Sequence, residues 1–355
     1  MEEVYSGNTQ EEIDIILLTH GRLHDLTIPA VTCLYSHTKS KFHLIVVDDS
    51  TPDMPSGIEG VPDSTADWFD KYKIDHNNIT FIHSIVPFKS GNQIFNVGLS
   101  HCRNRFAAIV MNSVQVEPDW DVVATQMMAQ NPKIGVIGLK CLKFGWSKEE
   151  DGQIECAGIG LSPVDGFTPV DLGRNEASHR LCISRPAWSL QWAFVVVRVE
   201  AAVGNLDENL WEGYVGFDDI DDTLTLRSKG WEAWYCGLGV GYHKTHATRG
   251  STNTNIIFKN RKNAEIFYKR WGMWDKYKES NPYAIEYFTK GEVKPMCNIL
   301  ELPLTVDSAA KDTIIIAEKG AVGSNDTKTT IEWLKDDDDC AYPVHKEVSN
   351  VPTVR

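Results

Sequence analysis

The chain has 355 residues, of which 42% are hydrophobic and 24% charged, so it can build a sizeable core and global disorder is excluded. Its 35 basic and 49 acidic residues give a formal net charge of −14. This balance argues against non-specific affinity for phosphate backbones or anionic membranes, although it leaves room for a local basic groove. The eight cysteines are scattered without a CxxC pair, which argues against zinc and thioredoxin-like sites.

The sequence contains no signal for a membrane or for export. No apolar run reaches the roughly 18–20 residues that a membrane helix needs. Residues 1–10 are polar and acidic, unlike a signal peptide. Together with the isolated cysteines, this predicts a cytoplasmic protein without a membrane span.

Short apolar runs alternate with polar loops in the first part of the chain. The runs Ile13–Thr19, Phe42–Val47, Ile79–Ile85 and Phe106–Met111 have the nearly continuous hydrophobicity of strands buried on both faces. A helical stretch around Leu23–Tyr35 follows the first run. The alternation predicts an open, doubly wound α/β sheet, in which ligands bind beyond the carboxyl ends of the strands.

The pattern changes from Ile134 onward. A strand begins there, and Trp188–Val199 has the composition of a second strand. Apolar residues at three- and four-residue spacing predict helices over Asp219–Lys229 and Ile256–Trp271. The last part of the chain has a mixed composition that predicts no particular element, and its acidic run Asp336–Asp339 is typical of a solvated segment.

The most specific stretch is an acidic cluster that opens one of these helices. Asp218, Asp219 and Asp221 precede apolar helical residues, and the stretch closes with Gly230-Trp231. Carboxylates near a helix N-terminus are favoured by the helix dipole, and one that faces a pocket can take a proton from an alcohol. The cluster alone is equally typical of a charged helix cap with a solvated face.

Residues 218–231 resemble, in register, a motif of the GT-A fold glycosyltransferases of family 2, which are inverting enzymes with nucleotide-sugar donors. The family motif is Glu/Asp-Asp-x-Asp, followed by a helix with leucine and arginine that ends in Gly-Trp or Gly-Tyr. The resemblance implies that Asp219 is the catalytic base and that Asp218 lies beside it in the catalytic site.

Further matches in the family's order extend the resemblance over roughly residues 13–271. The matching segments are Ile15–Arg22, Val46–Thr51, Asn96–Gly98, Asn112–Trp120, Gly204–Glu208 and Tyr242–Gly250. The resemblance implies an α/β GT-A fold with a mostly parallel, Rossmann-like sheet, flanking helices and a C-terminal extension. It divides the chain into a nucleotide-sugar half at 1–125, an acceptor-binding and catalytic half at 126–275, and an extension of unknown role at 276–355.

The same motifs imply a set of donor-binding residues. Thr19 approaches the nucleotide and Asp48 reads the base and ribose, although Asp48 also lies in good turn-forming sequence. The other donor-binding candidates are Arg22, Asp49, Asn96, Gly98, Asn112 and Arg249.

One position departs from the family pattern in a way that affects metal binding. Ser113 stands where the family has an Asp that carries the divalent ion bridging the donor diphosphate. Mn²⁺ and Mg²⁺ prefer carboxylate oxygen, whereas Asn112 and Ser113 offer neutral oxygens. An ion could be held by the diphosphate with help from Asn112, Ser113, His243 or Glu117. Alternatively, cationic residues such as Arg249 replace the metal, or the domain binds without catalysis.

The resemblance therefore implies inverting transfer of a sugar, with a UDP-linked donor as the expected one, to the hydroxyl of a glycan or other acceptor. Two alternatives stay open: a catalytically inactive nucleotide-sugar-binding protein, and a viral-type enzyme that glycosylates modified DNA bases. The negative net charge weighs against DNA. Near the expected acceptor region, Trp188, Trp192 and Trp211 are either core residues or rings on which an acceptor stacks.

Overall fold

The computed structural model describes residues 11–145, 147–162, 168–211, 216–244, 247, 254–281, 284–297, 314–317 and 331–334. The strands are β1 (Ile13–Thr19), β2 (Phe42–Asp48), β3 (Ile79–His83), β4 (Phe106–Met111), β5 (Val114–Val116), β6 (Ile134–Lys143), β7 (Ile154–Cys156), β8 (Ile159–Ser162), β9 (Thr168–Asp171), β10 (Ser184–Pro186), β11 (Phe194–Arg198), β12 (Glu232–His243), β13 (Ile314–Ala317) and β14 (Ile331–Leu334). The α-helices are α1 (Ile28–His37), α2 (Thr65–Asp75), α3 (Gly91–Leu99), α4 (Trp120–Gln130), α5 (Val199–Ala202), α6 (Asp218–Ser228), α7 (Thr254–Arg270) and α8 (Trp274–Ser280), and a π-helix over Leu23–Thr27 precedes α1.

One mixed sheet organises the described part of the chain, in the order β14-β13-β10-β12-β6-β11-β4-β1-β2-β3. Strands β3, β2, β1 and β4 are parallel to one another, and β6 is parallel to β12. Strand β11 runs antiparallel between β4 and β6, while β5 and β7 pair with β12 and β6. The predicted α/β fold is confirmed, with its antiparallel pairs concentrated in the second half.

The sheet is covered on both faces, as the apolar runs predicted. Every residue of β1 is buried. Ile15 and Leu17 belong to a cluster that includes residues of α1 and α4, whereas Ile16 and Leu18 belong to a second cluster that includes residues of α3. Alternate side chains of one strand thus enter different cores, which requires an apolar residue at nearly every position.

The strand predicted over Trp188–Val199 is shorter in the structure and begins at Phe194. The preceding residues pair elsewhere, because Ser189 forms an antiparallel bridge with Ile159. The predicted helices are present as α6 and α7, each within two residues of its expected start. In the C-terminal extension, β13 and β14 pair with each other, and β13 pairs with β10 at the sheet edge.

The expected domain division at residues 125 and 275 falls within α4 and α8 and stays a prediction. Within the described residues, no helix combines the length and the apolar composition required to cross a membrane.

Strand register brings polar residues together at one edge of the sheet. Thr19 at the end of β1 lies beside Asp48 of β2, which in turn lies beside His83 of β3. Strand β12 ends at His243, which pairs with Val114 directly after β4 and its turn. The carboxyl ends of β1, β4 and β12 therefore meet, which is where a ligand site is expected in such a sheet.

Candidate active site

A cavity of about 270 Å³ opens at the meeting point of these strand ends. Both members of the predicted catalytic pair line it, together with the three predicted metal ligands and Thr19: Asp218, Asp219, Asn112, Ser113, His243 and Thr19. The fold thus collects residues from β1, the β4–β5 turn, β12 and the start of α6 around one space. This cavity is the candidate active site.

A left-handed turn directs the acidic cluster toward the cavity. Gly216 and Phe217 have φ angles of 69° and 72°, and α6 begins directly after them at Asp218. The backbone N–H of Ile220 donates to Asp219 Oδ1 at 2.8 Å. The positive end of the helix dipole lies beside Asp218 and Asp219, where it favours negative charge.

Helix α3 begins beside Asp218. At Gly91, the first residue of α3, a Cβ would lie 3.1 Å from Asp218 Oδ2. Ser90 caps this helix by accepting a hydrogen bond from the Gln93 N–H at 3.4 Å. Glycine allows the helix end to approach the carboxylate closely, a role that the sequence analysis missed and that only the contact with Asp218 reveals.

The next acid of the motif, Asp221, is buried away from the cavity lining. Arg270 Nε lies 2.9 Å from Asp221 Oδ1, and the Trp271 indole N–H donates to the same oxygen at 2.7 Å. Burial raises the pKa of Asp221 to about 6, although the charge of Arg270 and the Trp271 hydrogen bond oppose the shift. Asp221 therefore anchors α6 to α7 rather than facing a ligand.

Asp222 is fully buried as well. It accepts a hydrogen bond from Asn92 Nδ2 at 2.7 Å, which ties α6 to α3. Burial raises the pKa of Asp222 well above its ordinary value, and the nearby charges of Asp221 and Asp218 raise it further. Of the acidic residues that open α6, one pair lines the cavity and the other holds the helix in place.

At the end of β2, Asp48 is fully buried and bonded on both oxygens. The Thr19 hydroxyl donates to Asp48 Oδ1 at 2.6 Å, and the Ser50 N–H donates to the same atom at 3.2 Å. His83 Nδ1 lies 2.8 Å from Asp48 Oδ2. Thr19 lines the cavity and Asp48 does not. Asp48 therefore positions Thr19 through their hydrogen bond rather than lining the cavity itself. His83 was not predicted as a site residue.

The neighbouring carboxylate, Asp49, fixes His20, which lines the cavity. His20 Nδ1 lies 2.6 Å from Asp49 Oδ1, and the Phe88 N–H donates to Asp49 Oδ2 at 3.0 Å. Burial lowers the pKa of His20, but the hydrogen bond and charge of Asp49 outweigh burial, so the pKa is raised. His20 was not predicted as a site residue.

Two of the expected metal ligands, Asn112 and His243, are positioned by separate hydrogen bonds to the protein. Asn112 Nδ2 donates to Gly21 O at 3.1 Å and to Thr27 Oγ1 at 3.0 Å, which leaves its Oδ1 able to accept from a ligand. His243 Nδ1 lies 3.0 Å from Oε2 of the buried Glu155, a partner that the sequence analysis missed.

The candidate metal ligands lack the carboxylates that a divalent ion prefers. Across the described residues, no group of three or more His, Cys, Asp or Glu side chains is arranged to hold a metal. Asn112, Ser113 and His243 supply an amide, a hydroxyl and an imidazole, whereas Mg²⁺ and Mn²⁺ prefer carboxylate oxygen. This set does not fit such an ion.

Three other predicted donor-binding residues contact the protein instead of lining the cavity. Arg22 pairs with Asp25 through Nε at 2.9 Å and also through Nη2. Asn96 Nδ2 donates to Leu206 O and to Glu208 Oε2, each at 3.0 Å. Gly98 packs against β1. Arg249 lies outside the described residues.

Comparisons with known proteins show the fold and no family. No family model matches the chain. The "Uncharacterized protein y4gI" of Sinorhizobium fredii (strain NBRC 101917 / NGR234) is 28% identical over 273 residues, which cover 74% of this chain and 28% of that protein. The chain therefore spans little more than a quarter of the length of this curated relative.

The chain is similar to two solved structures, one of them with a TM-score above 0.5. The crystal structure of GalNAc-T7 with UDP, GalNAc and Mn²⁺ has a TM-score of 0.57 and 10% identity, over 76% of this chain and 50% of that one. The mannosyltransferase PcManGT from Pyrobaculum calidifontis, in complex with GDP-Man and Mn²⁺, has a TM-score of 0.43 and 13% identity, over 76% and 73% of the two chains. The likeness to GalNAc-T7 shows that this chain has the GT-A fold.

Proposed function

We propose that the chain is a glycosyltransferase that moves a sugar from a nucleotide-sugar donor to an acceptor hydroxyl with inversion, as family 2 members do. The observation that carries this proposal is the carboxylate pair Asp218 and Asp219 at the N-terminus of α6. Both residues line a cavity at the carboxyl ends of the strands. A GT-A fold surrounds the pair, and the GalNAc-T7 structure of that fold holds UDP and a sugar.

In the proposed reaction, Asp219 acts as general base. The acceptor hydroxyl gives its proton to the Asp219 carboxylate while its oxygen attacks the anomeric carbon of the donor sugar. The bond between that carbon and the diphosphate oxygen breaks on the opposite face, and its electron pair stays on the diphosphate. Attack opposite the leaving group inverts the anomeric configuration. Asp218, which lines the same cavity, is proposed to orient the acceptor.

The donor is proposed to be a uridine diphosphate sugar lying across the ends of β1 and β2. Thr19 lines the cavity there and is fixed by its 2.6 Å hydrogen bond to Asp48. His20 is fixed in the same way by Asp49. We therefore assign the nucleotide to this end of the cavity, with Asp48 and Asp49 supporting the strand ends that contact it.

The first experiment identifies the nucleotide. The melting temperature is measured with uridine, guanosine and other nucleoside diphosphates and their sugars, with Mn²⁺ and with a chelator. A ligand at about 100 times its dissociation constant stabilises the fold by about 2.7 kcal/mol, which shifts the transition measurably. A shift for one nucleotide class supports the proposal, whereas no shift for any of them contradicts it.

The second experiment tests the base. Asp219→Asn is expected to lower transfer about 10²–10⁴-fold, because general-base catalysis contributes that much, while nucleotide binding is retained. Asp67→Asn is the matched control, since Asp67 also lies in the first turn of a helix but outside the cavity. Near-normal turnover by Asp219→Asn would remove Asp219 from the proposed role.

A second candidate function is a nucleotide-sugar-binding protein without catalysis. Ser113 favours it, because the serine stands where the resembling family has its metal-binding acid. This function predicts nucleotide binding by wild type, with neither transfer nor donor hydrolysis under any metal condition.

A further inference from the structure

The cavity that contains the acidic pair is also lined by a positively charged side chain. Lys244 is the one lysine or arginine among the described residues that line it. Lys244 follows His243 at the end of β12, and its backbone N–H donates to Ser113 O at 2.9 Å. The lysine is therefore adjacent to the serine that replaces the family's metal-binding acid.

Gly145 makes room for the side chain of Lys244. Gly145 has a φ of 73°, and a Cβ at that position would lie 3.2 Å from Lys244 Cε. The methylene chain of Lys244 thus lies over the glycine, which limits the positions that its ammonium can reach. A side chain held in this way loses less conformational freedom when it binds an anion.

The charge of Lys244 is not cancelled by the carboxylate beside it. Asp25 Oδ2 lies 3.7 Å from Lys244 Nζ, while Arg22 holds the two oxygens of Asp25 with Nε and Nη2. A guanidinium paired with a carboxylate through two nitrogens is a strong interaction, and Lys244 is the looser partner. Arg22, Asp25 and Lys244 therefore carry one net positive charge at the edge of the cavity.

We propose that the Lys244 ammonium binds the donor diphosphate and stabilises its charge as it leaves, so that transfer needs no divalent metal ion. This inference rests on the proposed function. When the bond from the anomeric carbon to the diphosphate breaks, the electron pair remains on the diphosphate oxygen, and the ammonium lowers the energy of that charge. A fixed cation in a partly enclosed site is an effective stabiliser of developing charge.

The test uses the full chain and measures binding apart from turnover. Affinities for UDP and UMP (or the corresponding guanosine nucleotides, if the melting panel selects them) are measured with Mn²⁺ and with a chelator. Wild type is expected to bind UDP with the same affinity, within about twofold, in both conditions. Lys244→Met is expected to weaken UDP binding about tenfold or more, because hydrogen bonds to charged groups contribute that much, and to change UMP binding less.

Two variants make the result specific. Lys39→Met is the matched control, because Lys39 also pairs with an aspartate at 3.7 Å but does not line the cavity. Lys244→Arg keeps the charge and is expected to retain most of the UDP affinity and transfer.

Three results would overturn the inference. Loss of UDP binding or transfer in chelator overturns it and leaves the proposed function standing. Equal UDP affinities of Lys244→Met and Lys39→Met overturn it in the same way. If no nucleoside diphosphate binds wild type in either condition, the proposed function fails and the inference fails with it.

Discussion

Neighbouring carboxylates at the start of α6 have opposite environments. Asp218 and Asp219 line the cavity, whereas Asp221 and Asp222 are buried behind it. Asp221 and Asp222 follow Asp218 by three and four positions, so they lie one helical turn, about 5.4 Å, further along the helix than its cavity-lining end. Asp221 and Asp222 are tied to α7 and α3, which fixes the position of the cavity-lining pair at the start of α6.

The buried acids predict how stability depends on pH. Burial raises the pKa of Asp221 to about 6 in the folded state, above the value of about 3.9 expected when unfolded. The folded state then binds protons more tightly, so this contribution is fully present below about pH 3.9 and is lost as the pH rises through 6. Asp222, whose pKa is also raised, acts in the same direction.

Asp222→Asn is expected to weaken this pH dependence and to stabilise the protein at pH 8. Asparagine can still accept the hydrogen bond from Asn92 but carries no buried charge. Because burial raises the pKa of Asp222 well above its ordinary value, we expect the free energy of unfolding at pH 8 to rise in the variant. Urea unfolding between pH 5 and 8 measures it, with the exposed Asp67→Asn as control. A variant that loses stability as steeply as wild type would contradict the assignment.

At the residue scale, the sequence predicted the members of the cavity better than their partners. Asp218, Asp219, Asn112, Ser113 and His243 were identified because they lie in segments that resemble motifs of the family. Glu155 carries no such signal, since its contact with His243 spans 88 residues. Contacts of this kind depend on the tertiary arrangement of strands that are distant in sequence.

At the scale of an element, two motif residues of helix α3, Asn96 and Gly98, contact neighbouring parts of the protein. The resemblance implied donor contacts for Asn96 and Gly98, and these stay predictions. In the structure, Asn96 contacts Leu206 and Glu208, and a Cβ on Gly98 would lie 2.4 Å from Ile16 Cγ2. The glycine therefore lets α3 pack closely on β1, the strand that ends at the cavity.

Gly98→Ala is expected to destabilise the fold by about 1–3 kcal/mol through overpacking against β1. The sign of this stability change is informative, because a glycine-to-alanine substitution in an unconstrained helix would stabilise it by about 0.5–1 kcal/mol. Chemical denaturation measures the free energy of unfolding of Gly98→Ala in wild type and in an Ile16→Ala background. We expect a smaller cost in the second background, where the obstructing side chain is gone. Equal costs would show that the two residues are not coupled.

Elements were predictable where hydrophobicity and local spacing determine them. The runs of β1 and β4 and the periodic residues of α6 and α7 gave bounds close to those in the structure. The start of β11 was wrong because Ser189 pairs with Ile159, a choice of partner that the run itself does not encode. Strands β13 and β14 were missed because their short runs lie in a segment without a clear pattern.

At the scale of the whole molecule, charge bears on the choice of acceptor. A net charge of −14 repels a polyanion, and the long-range field acts before any contact forms. The positive charge at the cavity edge is local, since Lys244 lies close to Asp25 and shares the cavity with Asp218 and Asp219. This arrangement suits a diphosphate of limited size better than the backbone of a duplex.

We therefore expect no measurable binding of duplex DNA at physiological salt, in conditions where a nucleoside diphosphate binds. Fluorescence anisotropy with a labelled duplex, repeated from about 50 to 200 mM salt, measures it. A protein that neutralises several phosphates loses affinity steeply with salt, with a slope of about −0.9 per phosphate contacted. Binding with such a slope would mean that a local basic groove overcomes the net charge, and it would favour modified DNA bases as the acceptor. Absence of binding, together with retained nucleotide affinity, directs the search for the acceptor to glycans and other hydroxyl compounds without dense negative charge.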